Sequence, residues 1–304
     1  MRFFLTGATG YVGSRVLRRL SATGHQVKAL VRPRAGGPQL ENLPAVQYVT
    51  ADLRNRDAIV SSGRWSDAVI HTAAEHDGDM SGADAAFIAA ITEALSWSGK
   101  ALVYTSASVV YGDTGDAPRE ENGPIGSPLP SRAWRVEHDN RVESLISEGI
   151  RSSVIRPSTV YGYGEGIVRS RIEHAAHNGR AVYVDEGTKL FSTVHIEDLI
   201  DAYLGVIEHP DAAGVFNVAS SEILSRLRFA ELISDVLRSS IKPESVTLSA
   251  AIAEQGELAA IGSINQVLSA TKIKRCLAWH PSRPTLESEL LTGTYANLTL
   301  ASLI

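Results

Sequence analysis

Thr6-Gly7-Ala8-Thr9-Gly10-Tyr11-Val12-Gly13 follows a short apolar run and opens a helical pattern, with glycines at the first, fourth and seventh places counted from Gly7. A strand that turns into a helix over glycines brings backbone N–H groups and a helix N-terminus up to a pyrophosphate, an approach that any side chain would block. The strand before and the helix after give the motif its weight, because three glycines alone are common. Gly7, Thr9, Gly10, Tyr11, Val12 and Gly13 are therefore candidate dinucleotide-binding residues.

Outward from this loop, short β-branched runs alternate with helical patterns through the first half of the chain. Runs at 2–5, 26–31, 46–50, 68–71, 101–105 and 152–155 read as strands, apolar enough to be covered on both faces. Val12, Val16, Leu17 and Leu20 predict a helix over 11–22 ended by Gly24; Ala86, Phe87, Ala90, Ile91, Ala94 and Leu95 predict one over 83–97 ended by Gly99. After Arg156-Pro157 the alternation loosens at Tyr161-Gly162-Tyr163-Gly164-Glu165-Gly166. Strands at 191–194 and 215–218, a helix at 196–207, and surface helices at 227–237, 250–260 and 285–291 follow. The predicted class is α/β, a doubly wound parallel sheet of Rossmann type with a smaller, mostly helical C-terminal substrate lobe. The boundaries are 1–157 plus 188–220 for the dinucleotide-binding domain and 158–187 plus 221–304 for the lobe. The stretch 112–130, with four prolines and four glycines, is too long for a plain connector and reads as a lid or flap.

Composition narrows the function. The 304 residues are 44% hydrophobic and 21% charged, ample for a core and too apolar for disorder. Lys+Arg 29 against Asp+Glu 34 gives a net charge of −5 without a basic run, which argues against nucleic acid or a membrane surface as partner. The single Cys276 forms no internal disulfide, no Cys/His set has zinc spacing, and no metal is expected. With no secretory leader or membrane span in the sequence, a cytoplasmic protein with a small-molecule partner is expected.

The second strand ends Val31-Arg32-Pro33-Arg34 without a carboxylate in reach. An acidic residue there would bind a ribose 2′-hydroxyl, whereas arginine suits a 2′-phosphate. NADP(H) is thus preferred over NAD(H), with Arg32 the first ligand and Arg34 the second, unless both are solvated loop residues.

The glycine loop, Asp52-Leu53-Arg54-Asn55, Val69-Ile70-His71-Thr72-Ala73-Ala74, Val103-Tyr104-Thr105-Ser106-Ala107-Ser108-Val109-Val110-Tyr111-Gly112 and Arg156-Pro157-Ser158-Thr159-Val160-Tyr161-Gly162 stand in one order. Later come Val194-His195-Ile196-Glu197-Asp198-Leu199, Val215-Phe216-Asn217-Val218 and Cys276-Leu277-Ala278-Trp279-His280-Pro281. The order resembles the extended short-chain dehydrogenases/reductases, the NAD(P)-dependent epimerase/dehydratase group, over nearly the whole chain. The resemblance implies that Asp52 binds the adenine amino group beside Leu53, that Ala73 and Ala74 line the dinucleotide, and that Thr105 and Ser106 close the nicotinamide side. Asp52 also reads as an N-cap of the next segment. A homodimer is among the assemblies the resemblance allows.

The chain departs from that family's chemistry. The family uses a Ser/Thr ahead of Val-Tyr-Gly and a Tyr-x-x-x-Lys pair, the tyrosine as acid/base and the lysine lowering its pKa. Here Ala107 stands at the Ser/Thr position, and counting back from Arg156-Pro157 puts Ser131 and Arg135 at the tyrosine and lysine positions. Arg135 can grip a ribose or phosphate but cannot tune an acid, its own pKa staying above about 12. Ser131 after Pro130 equally reads as a helix N-cap. The catalytic candidates are Ser106, Ser131, Arg135 and Tyr111, the last also readable as packing. His76, Ser108 and Tyr161 are candidate substrate contacts.

These residues predict an NADP(H)-binding oxidoreductase or epimerase-like enzyme with a non-standard acid/base, acting on a small, mostly neutral carbonyl, hydroxyl or sugar-like substrate. The alternatives are a catalytically degenerate NADP(H)-binding sensor or regulatory protein, and a non-redox isomerase or lyase on the same scaffold.

Overall fold

A computed structural model describes residues 1–33, 40–74, 78–238 and 241–298. The first half runs β1 (Arg2–Thr6), α1 (Tyr11–Ala22), β2 (Gln26–Val31), β3 (Val46–Thr50), α2 (Arg56–Trp65), β4 (Ala68–His71), α3 (Met80–Leu95), β5 (Ala101–Thr105), α4 (Trp134–Ser144) and β6 (Arg151–Pro157). Then come β7 (Thr159–Tyr161), α5 (Gly166–Asn178), β8 (Arg180–Val184), β9 (Leu190–His195), α6 (Ile196–Glu208) and β10 (Gly214–Val218). The chain continues through β11 (Ile223–Ser225), α7 (Arg226–Val236), β12 (Lys242–Val246), α8 (Leu248–Gln255), α9 (Thr271–Leu277) and α10 (Leu286–Leu291).

Seven strands form one sheet in the order β10-β6-β5-β4-β1-β2-β3. The pairings from β3 across to β6 are all parallel. β4 is buried at every position and β5 at all but its last, as strands covered on both faces must be. α1 buries Val16, Leu17 and Leu20, the stripe read from its 3.6-residue period. Asp79 caps α3 by accepting from the Gly82 N–H, so this helix begins three residues before the expected start. It ends at Leu95, ahead of Gly99, because Ser96 leaves helical geometry with ψ 131°, and Trp97 follows in the left-handed region with φ 60°.

Two compact units divide the chain. Unit 1 is Met1–Ser106, Trp134–Ile155 and Ile200–Phe216; unit 2 is Ala107–Ala133, Arg156–Leu199 and Asn217–Ile304. The second unit thus takes in 107–133, 156–157, 188–199 and 217–220, which the expected boundaries give to the dinucleotide-binding domain. Besides its helices it holds a three-stranded sheet, β11-β9-β7, and a two-stranded one, β12-β8. The expected helix over 250–260 is broken at Gly256, whose φ of 77° ends α8 and starts a 3-10 turn, Glu257–Ser263. The stretch 112–130 is fastened rather than free. Thr114 N–H donates to the Asn265 carbonyl at 2.9 Å, Arg119 N–H to Val267 at 2.8 Å and Gly126 N–H to Tyr111 at 2.9 Å. Among the described residues no helix is long and apolar enough to cross a membrane.

Candidate functional site

Strand register sets one edge of the sheet. Thr6 pairs with Leu30 on one side and His71 on the other, Leu30 with Val49, and His71 with Tyr104. The chain leaves this row toward Gly7, Arg32, Ala51–Leu53, Thr72–Ala74 and Ser106, so parallel strands deliver the expected site residues of unit 1 to one C-terminal edge. The neighbours of β1 are β2 and β4, so the strand order reverses at β1, and such a switch point leaves a crevice at the strand ends.

Backbone approach there is close. A Cβ on Gly7 would sit 2.6 Å from the Ala73 N, one on Gly10 would lie 3.3 Å from the Gly7 carbonyl oxygen, and one on Gly13 would run into that same oxygen. Gly7 also has φ 75°. Gly10 caps α1 without a side-chain hydrogen bond, and no acidic residue occupies the first helical turn. The helix N-terminus therefore keeps its positive end for a ligand.

A cavity of about 320 Å³ opens over this cradle, lined by Gly7, Thr9, Gly10, Tyr11, Val12 and Gly13 of the glycine loop, by Leu30 and Arg32, by Ala51, Asp52 and Leu53, and by Thr72, Ala73 and Ala74. A wall of glycine backbone, a cation after β2 and a carboxylate after β3 fit a dinucleotide carrying phosphates and an adenine. Asp52 is exposed between buried Ala51 and Leu53, and its Oδ1 accepts from the Arg54 N–H at 2.9 Å. It does not cap α2. Asn55 does, accepting from the Ala58 N–H at 3.1 Å. Arg34 and His76 lie outside the described residues.

The catalytic candidates differ in what they have available. Ser106, two residues past Tyr104, is 5% exposed, and its Oγ has neither solvent nor a hydrogen-bond partner among the described residues. Thr105 Oγ1 lies 2.9 Å from the Tyr203 hydroxyl. Arg135 stacks 4.5 Å over the Trp134 ring, has its Nη2 3.8 Å from Met80 Sδ, and lies outside the cavity lining.

Within unit 2, Ser131 is exposed in a 3-10 turn, Pro130–Arg132, whose cap is Leu129, so the N-cap reading fails. Tyr111 is fully buried, with its hydroxyl donating to Asn217 Oδ1 and accepting from Arg156 Nη1, both at 2.9 Å. Burial raises its pKa above the ordinary phenol value. That is the posting of a structural residue. Tyr161 is likewise buried, donating to the Pro284 carbonyl at 2.7 Å, with burial raising its phenol well above the ordinary value. Ser108 opens the 3-10 turn Ser108–Tyr111 and is half-buried.

Sequence reading missed a buried polar chain in unit 1. Asp84 accepts from His138 Nδ1 and the Tyr104 hydroxyl on Oδ2, both at 2.6 Å, and from His71 Nε2 on Oδ1 at 3.0 Å. His71 Nδ1 lies 2.8 Å from the Thr6 hydroxyl. Burial alone would raise the Asp84 carboxyl, but the hydrogen bonds from His138 and His71 outweigh it and hold the group far below the usual carboxylate range. The chain ties β1, β4, β5, α3 and α4 together behind the strand ends that carry the cradle.

Comparison with known proteins agrees with this architecture. The model of the NAD dependent epimerase/dehydratase family matches residues 3–219. The 3-diazoavenalumate denitrifying reductase of a Streptomyces species is 26% identical, over 94% of this chain and 97% of that protein. The UDP-glucose 4-epimerase of Mycolicibacterium smegmatis is 27% identical, over 80% and 85%. Among solved structures, DesIV, a dTDP-glucose 4,6-dehydratase from Streptomyces venezuelae with NAD and TYD bound, superposes with a TM-score of 0.79 at 19% identity, covering 97% of this chain and 96% of that one.

Proposed function

Because the chain belongs to the NAD dependent epimerase/dehydratase family, we propose that it is an NADP(H)-binding oxidoreductase or epimerase-like enzyme acting on a small carbonyl, hydroxyl or sugar-like substrate. The observation that carries this reading is that one cavity is lined by both the glycine cradle and Arg32. The relatives fit it: one is named a reductase, another an epimerase, and the dehydratase structure holds NAD.

The roles follow from the residues. N–H groups of the glycine loop and the α1 N-terminus hold the pyrophosphate, Arg32 neutralises the 2′-phosphate, and Asp52 accepts from the adenine amino group. The bound nicotinamide supplies a hydride donor or acceptor. Replacing Arg32 by aspartate should weaken NADPH binding by at least tenfold and leave NADH binding equal or better, since a charge-assisted hydrogen bond contributes about 1.5–3 kcal/mol. Fluorescence titration with both nucleotides reads this directly; an unchanged NADPH-to-NADH ratio refutes the NADP(H) assignment.

In this reading Ser106 serves at the reacting oxygen, where the family uses its tyrosine. Its hydroxyl has no hydrogen-bond partner among the described residues, so this reading gives it the hydrogen bond to the reacting oxygen, although Ser106, like Arg135, lies outside the lining of the cradle cavity. Ser106→Ala should slow turnover by about a hundredfold or more, the cost of removing one donor to the reacting oxygen. Equal turnover in the variant removes Ser106 from the mechanism. Ala107 and the engaged Tyr111 hydroxyl favour one second reading, a sensor that binds NADP(H) without turnover. Saturable NADPH binding with no change at 340 nm or in product across a broad carbonyl and sugar panel would select it.

A further inference from the structure

The buried chain around Asp84 uses its two imidazoles differently. His71 has both ring nitrogens engaged, Nε2 on Asp84 Oδ1 at 3.0 Å and Nδ1 on the Thr6 hydroxyl at 2.8 Å. Its ring stacks on Phe87, with centroids 3.9 Å apart, and on Tyr104, and it is buried. His138 is only half engaged. Its Nδ1 lies 2.6 Å from Asp84 Oδ2, whereas its Nε2 has no hydrogen-bond partner among the described residues and is not shut off from solvent. The His138 side chain keeps 12% of its surface exposed.

A carboxylate that takes the Nδ1 proton of an imidazole fixes the orientation and tautomer of the ring, and leaves Nε2 as the atom that gains and loses a proton. Asp84 is suited to that task, because the hydrogen bonds from His138 and His71 keep it ionised despite its burial. The Trp134 ring packs edge-on against the imidazole with centroids 4.8 Å apart. The position is equally specific. Asp84 also takes the Tyr104 hydroxyl at 2.6 Å, and Tyr104 pairs with His71 near the C-terminal ends of β5 and β4. Beyond them the chain continues into Ser106 after β5 and into Thr72–Ala74 after β4, the latter lining the cradle cavity. α4 thus brings His138 to the same edge of unit 1 as Ser106. The other titratable or charged groups around the pair are His71 from β4, Tyr104 from β5, and Arg135 and Asp139 from α4, the last two acting on Tyr104 through their charge.

We propose that His138 is the proton donor and acceptor at the reacting oxygen, with Asp84 as its positioning residue, an assignment that rests on the enzyme reading of this site. A carbonyl carbon that takes up the hydride supplied by the bound nicotinamide sends its π pair to oxygen. There Ser106 donates a hydrogen bond, and protonated His138 gives up its Nε2 proton. The products are an alcohol, the oxidised nicotinamide and neutral His138, which regains a proton from water at its exposed edge. In the direction of alcohol oxidation, Nε2 takes the hydroxyl proton instead.

The first test needs no turnover. The full chain is treated with diethyl pyrocarbonate, which acylates accessible imidazole nitrogens, and the labelled sites are read by peptide mass spectrometry. His138 should be modified and His71 spared, and NADPH, with saturation confirmed by its fluorescence, should shield His138. An unmodified His138, or one labelled equally with and without NADPH, overturns the placement. Turnover is then read on a panel of aromatic aldehydes, quinones and nucleotide-linked ketosugars. His138→Gln keeps an N–H for Asp84 but cannot carry a proton, so kcat should fall about a hundredfold or more and the pH–rate profile should lose one ionisation. NADPH affinity and melting temperature should stay close to parental. An active parent matched by His138→Gln in kcat and pH profile fails this assignment alone, whereas a parent that turns over no member of the panel fails the enzyme reading and this assignment with it.

Discussion

A Gly10→Val variant will fold and lose its nucleotide, with NADPH affinity falling at least a hundredfold in a fluorescence titration. Gly10 is exposed with φ −83°, which any residue adopts, and a Cβ there meets only the Gly7 carbonyl oxygen at 3.3 Å. The fold can yield by a few tenths of an ångström. The isopropyl group, however, stands where a pyrophosphate must approach the α1 N-terminus, and each charge-assisted hydrogen bond lost there is worth about 1.5–3 kcal/mol. Gly13→Val is the contrast. Its Cβ would collide with the Gly7 backbone inside the turn, so this variant should melt far lower or not fold. Circular dichroism melting separates the two, and a Gly10→Val protein that still binds NADPH at parental affinity would place the dinucleotide elsewhere.

The second large effect belongs to Asp84. Asp84→Ala strands His71, His138 and the Tyr104 hydroxyl in the core without their common acceptor. Breaking a buried pair by removing one partner costs about 3–5 kcal/mol, so urea unfolding at neutral pH should show a loss of that size. Its pH dependence has a definite sign. The folded carboxyl titrates far below its ordinary value, so its stabilising contribution is complete above about pH 4 and is lost as pH falls below that toward the folded value. The gap between the parent and Asp84→Asn should therefore be constant above about pH 5 and shrink in stronger acid. A gap that holds or widens at low pH would mean that the carboxylate is not what the two imidazoles stabilise.

The cradle and its sheet were legible because their determinants are local. Apolar β-branched runs placed β2, β3, β4 and β5 to the residue, and the stripe Val16, Leu17 and Leu20 placed α1. The glycine loop could be read because its geometry is set by backbone sterics within a few residues. α2 was not readable. Arg56–Trp65 is capped by Asn55 and packs onto α3 at Gly63, where a Cβ would meet Ile91 and Ala94. The edge pair β8 and β12, the latter carrying Pro243, joins residues far apart in the chain and is likewise a product of packing.

Charge partners were the least legible feature of all. The sequence by itself determined the parallel sheet, the glycine cradle and the cation after β2, since each follows from neighbours along the chain. Tertiary structure alone decided that Tyr111 is a buried strut held by Arg156 and Asn217. It also decided that Asp84 gathers His71 and His138. The reason is physical. Backbone conformation responds to short-range sterics and periodicity, whereas the state of a charged or hydroxyl group depends on which distant segment is packed against it and on the water that packing removes.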